Sequence, residues 1–135
     1  MSKILAIDVG ESRVGVAVSD ELEIIAMPHS FFAREKALEK ILDLIKKDKI
    51  NLIVVGLPYL PSGQLGSQSY DIQQFVNLLN QNIDIPIEFE DEVFSSIEAE
   101  ERLKKMKKKK RTKGDTDAMA AAIILENYLR RKSNE

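Results

Sequence analysis

Residues 51–56 read Asn-Leu-Ile-Val-Val-Gly, an apolar run without the alternation of a strand that faces water on one side. Such a run is expected of a strand buried on both faces, and strands of that kind lie in sheets covered by helices. The rest of the chain supplies the other layers. Residues 3–9 (KILAIDV) form an apolar run that ends near an acid, and residues 13–18 (RVGVAV) form a second β-like run beyond Gly10. A third and less regular run covers residues 23–30, and short connections among the three predict an antiparallel meander. Ala37, Leu38, Ile41, Leu42 and Ile45 recur at helical spacing, as do Ile72, Phe75, Val76 and Leu79. Residues 57–69 are rich in Pro, Gly and Ser and read as a loop. Residues 85–89 (IPIEF) predict a fifth strand. A polar helix starts near Ser96, with Ser96-Ile97-Glu98-Ala99 as cap and first turn, and a last helix spans residues 115–131. The order βββ-α-β-α-β-α-α implies an α/β fold: a mixed five-stranded sheet, three strands in an antiparallel meander plus two parallel strands, with helices on both faces. One domain over residues 1–135 is expected.

The absence of cysteine excludes disulfides, Cys-ligated zinc and a thiol nucleophile. The single histidine, His29 beside Pro28, argues against zinc or a Ser-His triad and is read as structural. The opening MSKILAIDVG is too short and too soon charged for a signal peptide, and no apolar stretch reaches membrane-spanning length. A cytoplasmic protein without membrane contact is expected. Charge is unevenly spread: of 20 Lys and Arg, nine fall in residues 102–113, leaving 11 bases against 22 acids elsewhere. An acidic body with one basic block grips a polyanion at a single place.

Asp8 lies near the end of a first, central strand, outside which α/β proteins place ligands. An Asp there also merely opens a turn. Gly15 lets another backbone or a ligand approach the second strand. Glu90, Asp91 and Glu92 end the fifth strand, where parallel neighbours bring them to the same edge as Asp8; a solvated strand end is the other reading. Asp115 is assigned to capping the last helix. Asp117 is followed by alanines, and Ala118, Ala121, Ala122, Leu125 and Leu129 make a small-sided face that packs close to a sheet and carries Asp117 toward the strand ends. Converging carboxylates repel unless cations hold them, and hard oxygen ligands suit Mg²⁺ or Mn²⁺, the ions of phosphodiester hydrolysis. The basic block complements such a centre by holding flanking phosphates; a solubilising charge run is its other reading. Tyr59 and Tyr70 are assigned to packing, although an unpaired base stacks on such rings.

These pieces resemble the YqgF/RuvX family, whose members are named Holliday junction resolvases and pre-16S rRNA nucleases. The resemblance covers nearly the whole chain. It rests on Ile7-Asp8-Val9-Gly10 with Arg13 to Asp20, on Val54-Val55-Gly56-Leu57-Pro58 with Gly63 and Gly66, on Asp91-Glu92, and on the basic run leading to Asp117 through Leu125. It implies a ribonuclease H-like fold, divalent-metal chemistry with Mg²⁺ or Mn²⁺, and Asp8, Glu92 and Asp117 as the catalytic, metal-holding set. Arg13, Lys107, Lys108, Lys109, Lys110, Arg111 and Lys113 are the expected nucleic-acid contacts, with an rRNA precursor or branched DNA as partner. One departure stands out: the family usually follows Asp-Glu with arginine and two threonines, whereas this chain has Val93 and then Ser95-Ser96.

Three functions compete: a nuclease acting on structured nucleic acid, a weakly catalytic binding module that Val93 favours, and a nucleotide-binding fragment of the actin/sugar-kinase type. The last needs two domains around its nucleotide, more than this length holds. A homodimer through exposed apolar residues of the third strand and of the 57–66 loop is a further expectation.

Overall fold

The computed structural model describes residues 2–58, 62, 64, 66–92, 95–105 and 113–134, with backbone alone at 95–97 and 113. Its elements are β1 (Lys3–Val9), β2 (Arg13–Ser19), β3 (Ala26–Ala33), α1 (Arg34–Lys47), β4 (Ile50–Leu57), α2 (Ser69–Asn80), β5 (Ile87–Asp91), α3 (Ser95–Lys105) and α4 (Lys113–Ser133). They form one five-stranded sheet in the order β3-β2-β1-β4-β5. β1 to β3 are the antiparallel meander, while β4 runs parallel to β1 and β5 parallel to β4. The expected α/β architecture is present.

Period-two alternation gives the sheet two different faces. Leu5, Ile7 and Val9, with Val14, Val16, Val18, Ile53, Val55 and Leu57, pack against α1 and α2. Helix α1 buries Ala37 and Ile41, with Leu38, Leu42 and Ile45 at the margin, and α2 buries Ile72, Phe75, Val76 and Leu79, so both predicted spacings hold. The opposite face carries Ile4, Ala6, Ala17 and Val54 beneath α3 and α4. There the sheet is floored with small residues, and Gly15 and Gly56 complete the floor. Ser19 is fully buried at its lower end; its Oγ accepts the Ile4 N–H and donates to the Asp20 carbonyl, both at 2.9 Å.

Several boundaries differ from expectation. The third strand starts at Ala26, not at residue 23, because Asp20 stitches a turn: its Oδ1 accepts the N–H groups of Ile24 and Ile25, each at 2.8 Å, and Glu23 takes a φ of 59°. Leu22, Ile24 and Ile25 are therefore exposed turn residues. β5 begins at Ile87 because Pro86 has no N–H to donate. It runs through Asp91, so Glu90 and Asp91 lie inside it and only Glu92 follows. Helix α3 starts at Ser95, which places Ser96 within the helix and not at its cap. Helix α4 starts at Lys113, so Asp115 sits in its first turn, where a carboxylate complements the helix dipole. The single small-sided face predicted for α4 is too narrow: every residue from Ala118 to Leu125 is buried, because the sheet covers one side and α3 another. Among the described residues no helix is long and apolar enough to cross a membrane.

Candidate active site

The alternation that points Ile4 and Ala6 at α4 also points Asp8 that way, at the carboxyl end of β1. Asp8 pairs across the ladder with Gly15, and Gly15 is where α4 comes down. A Cβ at position 15 would fall on the Asp117 carbonyl, so glycine alone admits the first turns of the helix there. Gly56 does the same further along: an added Cβ would lie 2.5 Å from Ile124 Cδ1 and 2.7 Å from Glu92 Oε2. Glu92 follows β5, its N–H bonded to the Leu57 carbonyl at 3.1 Å. Three elements distant in sequence thus deliver Asp8, Glu92 and Asp117 to one edge of the sheet.

Their electrostatics differ. Burial pushes the Asp8 carboxyl above the usual range; a hydrogen bond from Glu92 offsets part of this, and the charge of Asp117 adds to it. Glu92 is pushed up to about 9, first by burial, then by the charge of Asp8, by its hydrogen bond to Asp8 and by Asp91. Two facing carboxylates have no donor between them unless one keeps a proton. Among the described residues no donor faces the buried Glu92 Oε2, and its own proton or a cation would satisfy that oxygen. Asp117 is turned elsewhere: Arg13 Nε donates to its Oδ2 at 2.6 Å. Among the described residues no group of three or more His, Cys, Asp or Glu side chains is gathered to hold a metal ion. Asp8 and Glu92 pair, and Asp117 pairs with Arg13.

Of the expected nucleic-acid contacts, Arg13 is at this edge. Lys107, Lys108, Lys109, Lys110 and Arg111 lie outside the described residues, as do Tyr59, Gly63 and Val93, and of Lys113 the backbone alone is described. Tyr70 is 71% exposed on the first turn of α2, so its assignment to packing is corrected. His29 is exposed on β3 and shares a 2.8 Å hydrogen bond with the Ser30 hydroxyl.

Sequence reasoning missed Arg34. Its guanidinium bonds the Gly10 carbonyl at 2.8 Å, holds both oxygens of Asp71 at 2.9 and 3.0 Å, and lies 5.2 Å from the Phe75 ring. With the Arg34 N–H on the Ser12 carbonyl, it ties the turn after Asp8 to α1 and α2. A cleft of about 670 Å³ opens beside it, lined by Val9, Gly10, Glu11, Arg34, Gln68 and Asp71 among others. This cleft abuts the turn after Asp8 and includes none of the three acids. Nothing in the sequence marked Arg34 or Asp71, because their partnership exists only once α1 and α2 pack together.

Comparison with known proteins adds to this geometry. Residues 2–131 match the model of the RuvX family, described as Holliday junction resolvase. A protein of Sulfurihydrogenibium sp. (strain YO3AOP1), provisionally named pre-16S rRNA nuclease, is 46% identical over 136 residues, covering 98% of this chain and 93% of that protein. A protein of Roseiflexus sp. (strain RS-1) with the same provisional name is 40% identical over 131 residues, covering 94% and 93%. Among solved structures, T. thermophilus RuvC in complex with Holliday junction substrate aligns with a TM-score of 0.61 at 14% identity, covering 98% of this chain and 96% of that one. Fowlpox virus resolvase with Holliday junction DNA aligns at 0.59 and 10% identity, covering 96% and 98%. At such identities the likeness is one of fold, the ribonuclease H-like fold expected from the sequence.

Proposed function

Because this chain belongs to the RuvX family, a family of nucleases, we propose that it hydrolyses phosphodiester bonds in structured nucleic acid with Asp8, Glu92 and Asp117 as its catalytic carboxylates. The observation that carries this reading is the Asp8–Glu92 pair with its orphaned oxygen, overlooked by Asp117 from α4. Two pressed-together carboxylates that cannot both ionise are what a cation relieves, and an all-oxygen donor set suits Mg²⁺ or Mn²⁺ over zinc. The residues therefore fit a divalent ion. Asp8 and Glu92 would hold it, and Asp117 would join them once released from Arg13. Such an ion supplies Lewis-acid stabilisation of the charge that develops at phosphorus.

The protein's own contribution is placement. Asp8 is fixed by the ladder to Gly15 and by the Arg34-tied turn, and Glu92 by its N–H on Leu57. Arg13 faces the phosphate from β2, and the basic segment through residues 107–113 holds the flanking backbone. A water attacks phosphorus and gives up a proton, the bond to the leaving oxygen breaks, and that oxygen takes up a proton, so one product ends in a phosphate and the other in a hydroxyl. The relatives' provisional name favours an rRNA precursor as substrate, and the family description favours branched DNA. One domain carries the whole site. The open edge of β3, with exposed Leu22, Ile24, Ile25 and Met27 beside it, supports a homodimer.

Purified wild-type protein and an Asp8→Asn variant, each offered a pre-16S rRNA precursor and a Holliday junction with Mg²⁺, Mn²⁺ or EDTA, test the reading. Wild type cleaves one of them with a divalent ion and neither in EDTA, while Asp8→Asn binds and does not cut. Full cleavage by Asp8→Asn refutes it.

A further inference from the structure

Arg13 stands at the start of β2, two residues from the glycine that pairs with Asp8 and receives α4. It spends Nε on Asp117, and among the described residues its two terminal nitrogens make no hydrogen bond. The Arg13 and Asp117 side chains are 34% and 25% exposed, so the pair is open to exchange in a way a sealed ion pair is not. Among the described residues Asp117 is the one acid of the three with a basic partner, and the three acids are not gathered into a cation-holding group.

We propose that Arg13 occupies Asp117 in the place of a divalent cation while the centre is metal-free, and passes to the substrate phosphate when the cation arrives. The inference rests on the metal-centre reading above and deepens it. Two positive groups compete for one carboxylate, so the cation must displace the guanidinium or share Asp117 with it. Displacement costs little because the guanidinium, with its planar fork of donors, finds phosphate oxygens next to the same acids. One residue links loading of the ion to capture of the substrate.

Isothermal titration with Mn²⁺, without nucleic acid, separates this from a merely structural ion pair. Removing a competitor predicts that Arg13→Ala binds Mn²⁺ tighter than wild type, by about threefold to tenfold. Arg13→Gln, which keeps the chain length, moves the same way should the alanine variant lose its fold. In an Asp117→Asn background the same substitutions leave Mn²⁺ affinity unchanged, because the contested carboxylate is gone. Arg13→Ala also weakens binding to a Holliday junction or rRNA precursor and lowers its salt slope by about one. Unchanged or weakened Mn²⁺ binding in folded Arg13→Ala and Arg13→Gln overturns the proposal, as does tightening that persists in Asp117→Asn. Asp8→Asn tells the two readings apart. If it binds Mn²⁺ like wild type, the metal-centre reading fails and this one with it. If it loses Mn²⁺ while the Arg13 variants match wild type, this inference alone fails.

Discussion

Replacing Gly15 with alanine tests whether the site depends on how closely α4 lies on the sheet. The added methyl falls on the Asp117 carbonyl, and a backbone carbonyl cannot swing aside as a side chain does. To restore ordinary contact, α4 must retreat by about 1 Å. Overpacking of this kind costs about 1–3 kcal/mol, and the upper end applies where the obstacle is main chain. A retreat of that size also thins the contacts of Ala118 through Leu125 over Ala6 and Ala17. Against this, alanine gains about 0.5–1 kcal/mol over glycine through the less flexible unfolded chain. The net expectation is a loss of about 2 kcal/mol in urea unfolding, with cleavage down by about 100-fold because Asp117 is displaced. Gly56→Ala is a control for stability alone. Its nearest obstacles are the side-chain ends Ile124 Cδ1 and Glu92 Oε2, with Glu92 Cβ at 3.1 Å and no main chain among them. Its net cost is therefore smaller, about 1 kcal/mol, while its cleavage falls as well because Glu92 is pushed. A Gly15→Ala protein as stable and active as wild type, or one less destabilised than Gly56→Ala, refutes the reasoning.

Ser19→Ala strips the buried Ile4 N–H of its acceptor and should lower the unfolding free energy by about 1–3 kcal/mol, while Ser19→Thr keeps the hydroxyl and loses less. Arg102 donates to both oxygens of Glu126 at 2.6 and 2.8 Å and to Glu98 at 2.8 Å, and the bonds from Arg102 hold the Glu126 carboxyl below the usual glutamate range. A depressed folded-state value means that this stability is present above the ordinary glutamate range and is lost as pH falls through the depressed value. Arg102→Ala should therefore cost about 1 kcal/mol at pH 7, discounted for partial exposure. The difference from wild type should shrink in acid; a gap that is the same at pH 7 and pH 3 would show that Arg102 acts through packing instead.

Where the sequence was legible, local chemistry and final structure say the same thing. The runs at 3–9, 13–18 and 51–56 are apolar enough to be strands wherever they pair, and the faces of α1 and α2 repeat at the helical period. Asp8 and Asp117 could be singled out because one lies near a strand end and the other in the opening turns of a helix of small residues. β3 was misplaced because Ile24 and Ile25 are apolar by type, yet their N–H groups answer to Asp20, a bond that spacing does not reveal. Burial all around α4 was hidden because α3, which covers part of it, is a polar helix by composition. The partner of Asp117 and the orphaned oxygen of Glu92 depend on which side chains meet across long separations, and no local pattern encodes that.

The floor of small residues has a consequence for when the edge around Asp8 is completed. Arg13 and Asp117 are 104 residues apart, and α4 is synthesised after every other described element. Until it settles on Ala6, Gly15 and Ala17, a nascent chain has Asp8 but lacks its counterpart from the far end. Its open sheet face is apolar and incomplete. Docking of α4 is then the step that brings Asp117 to the edge where Asp8 stands, and a chain in which α4 has not docked lacks the Arg13–Asp117 pair.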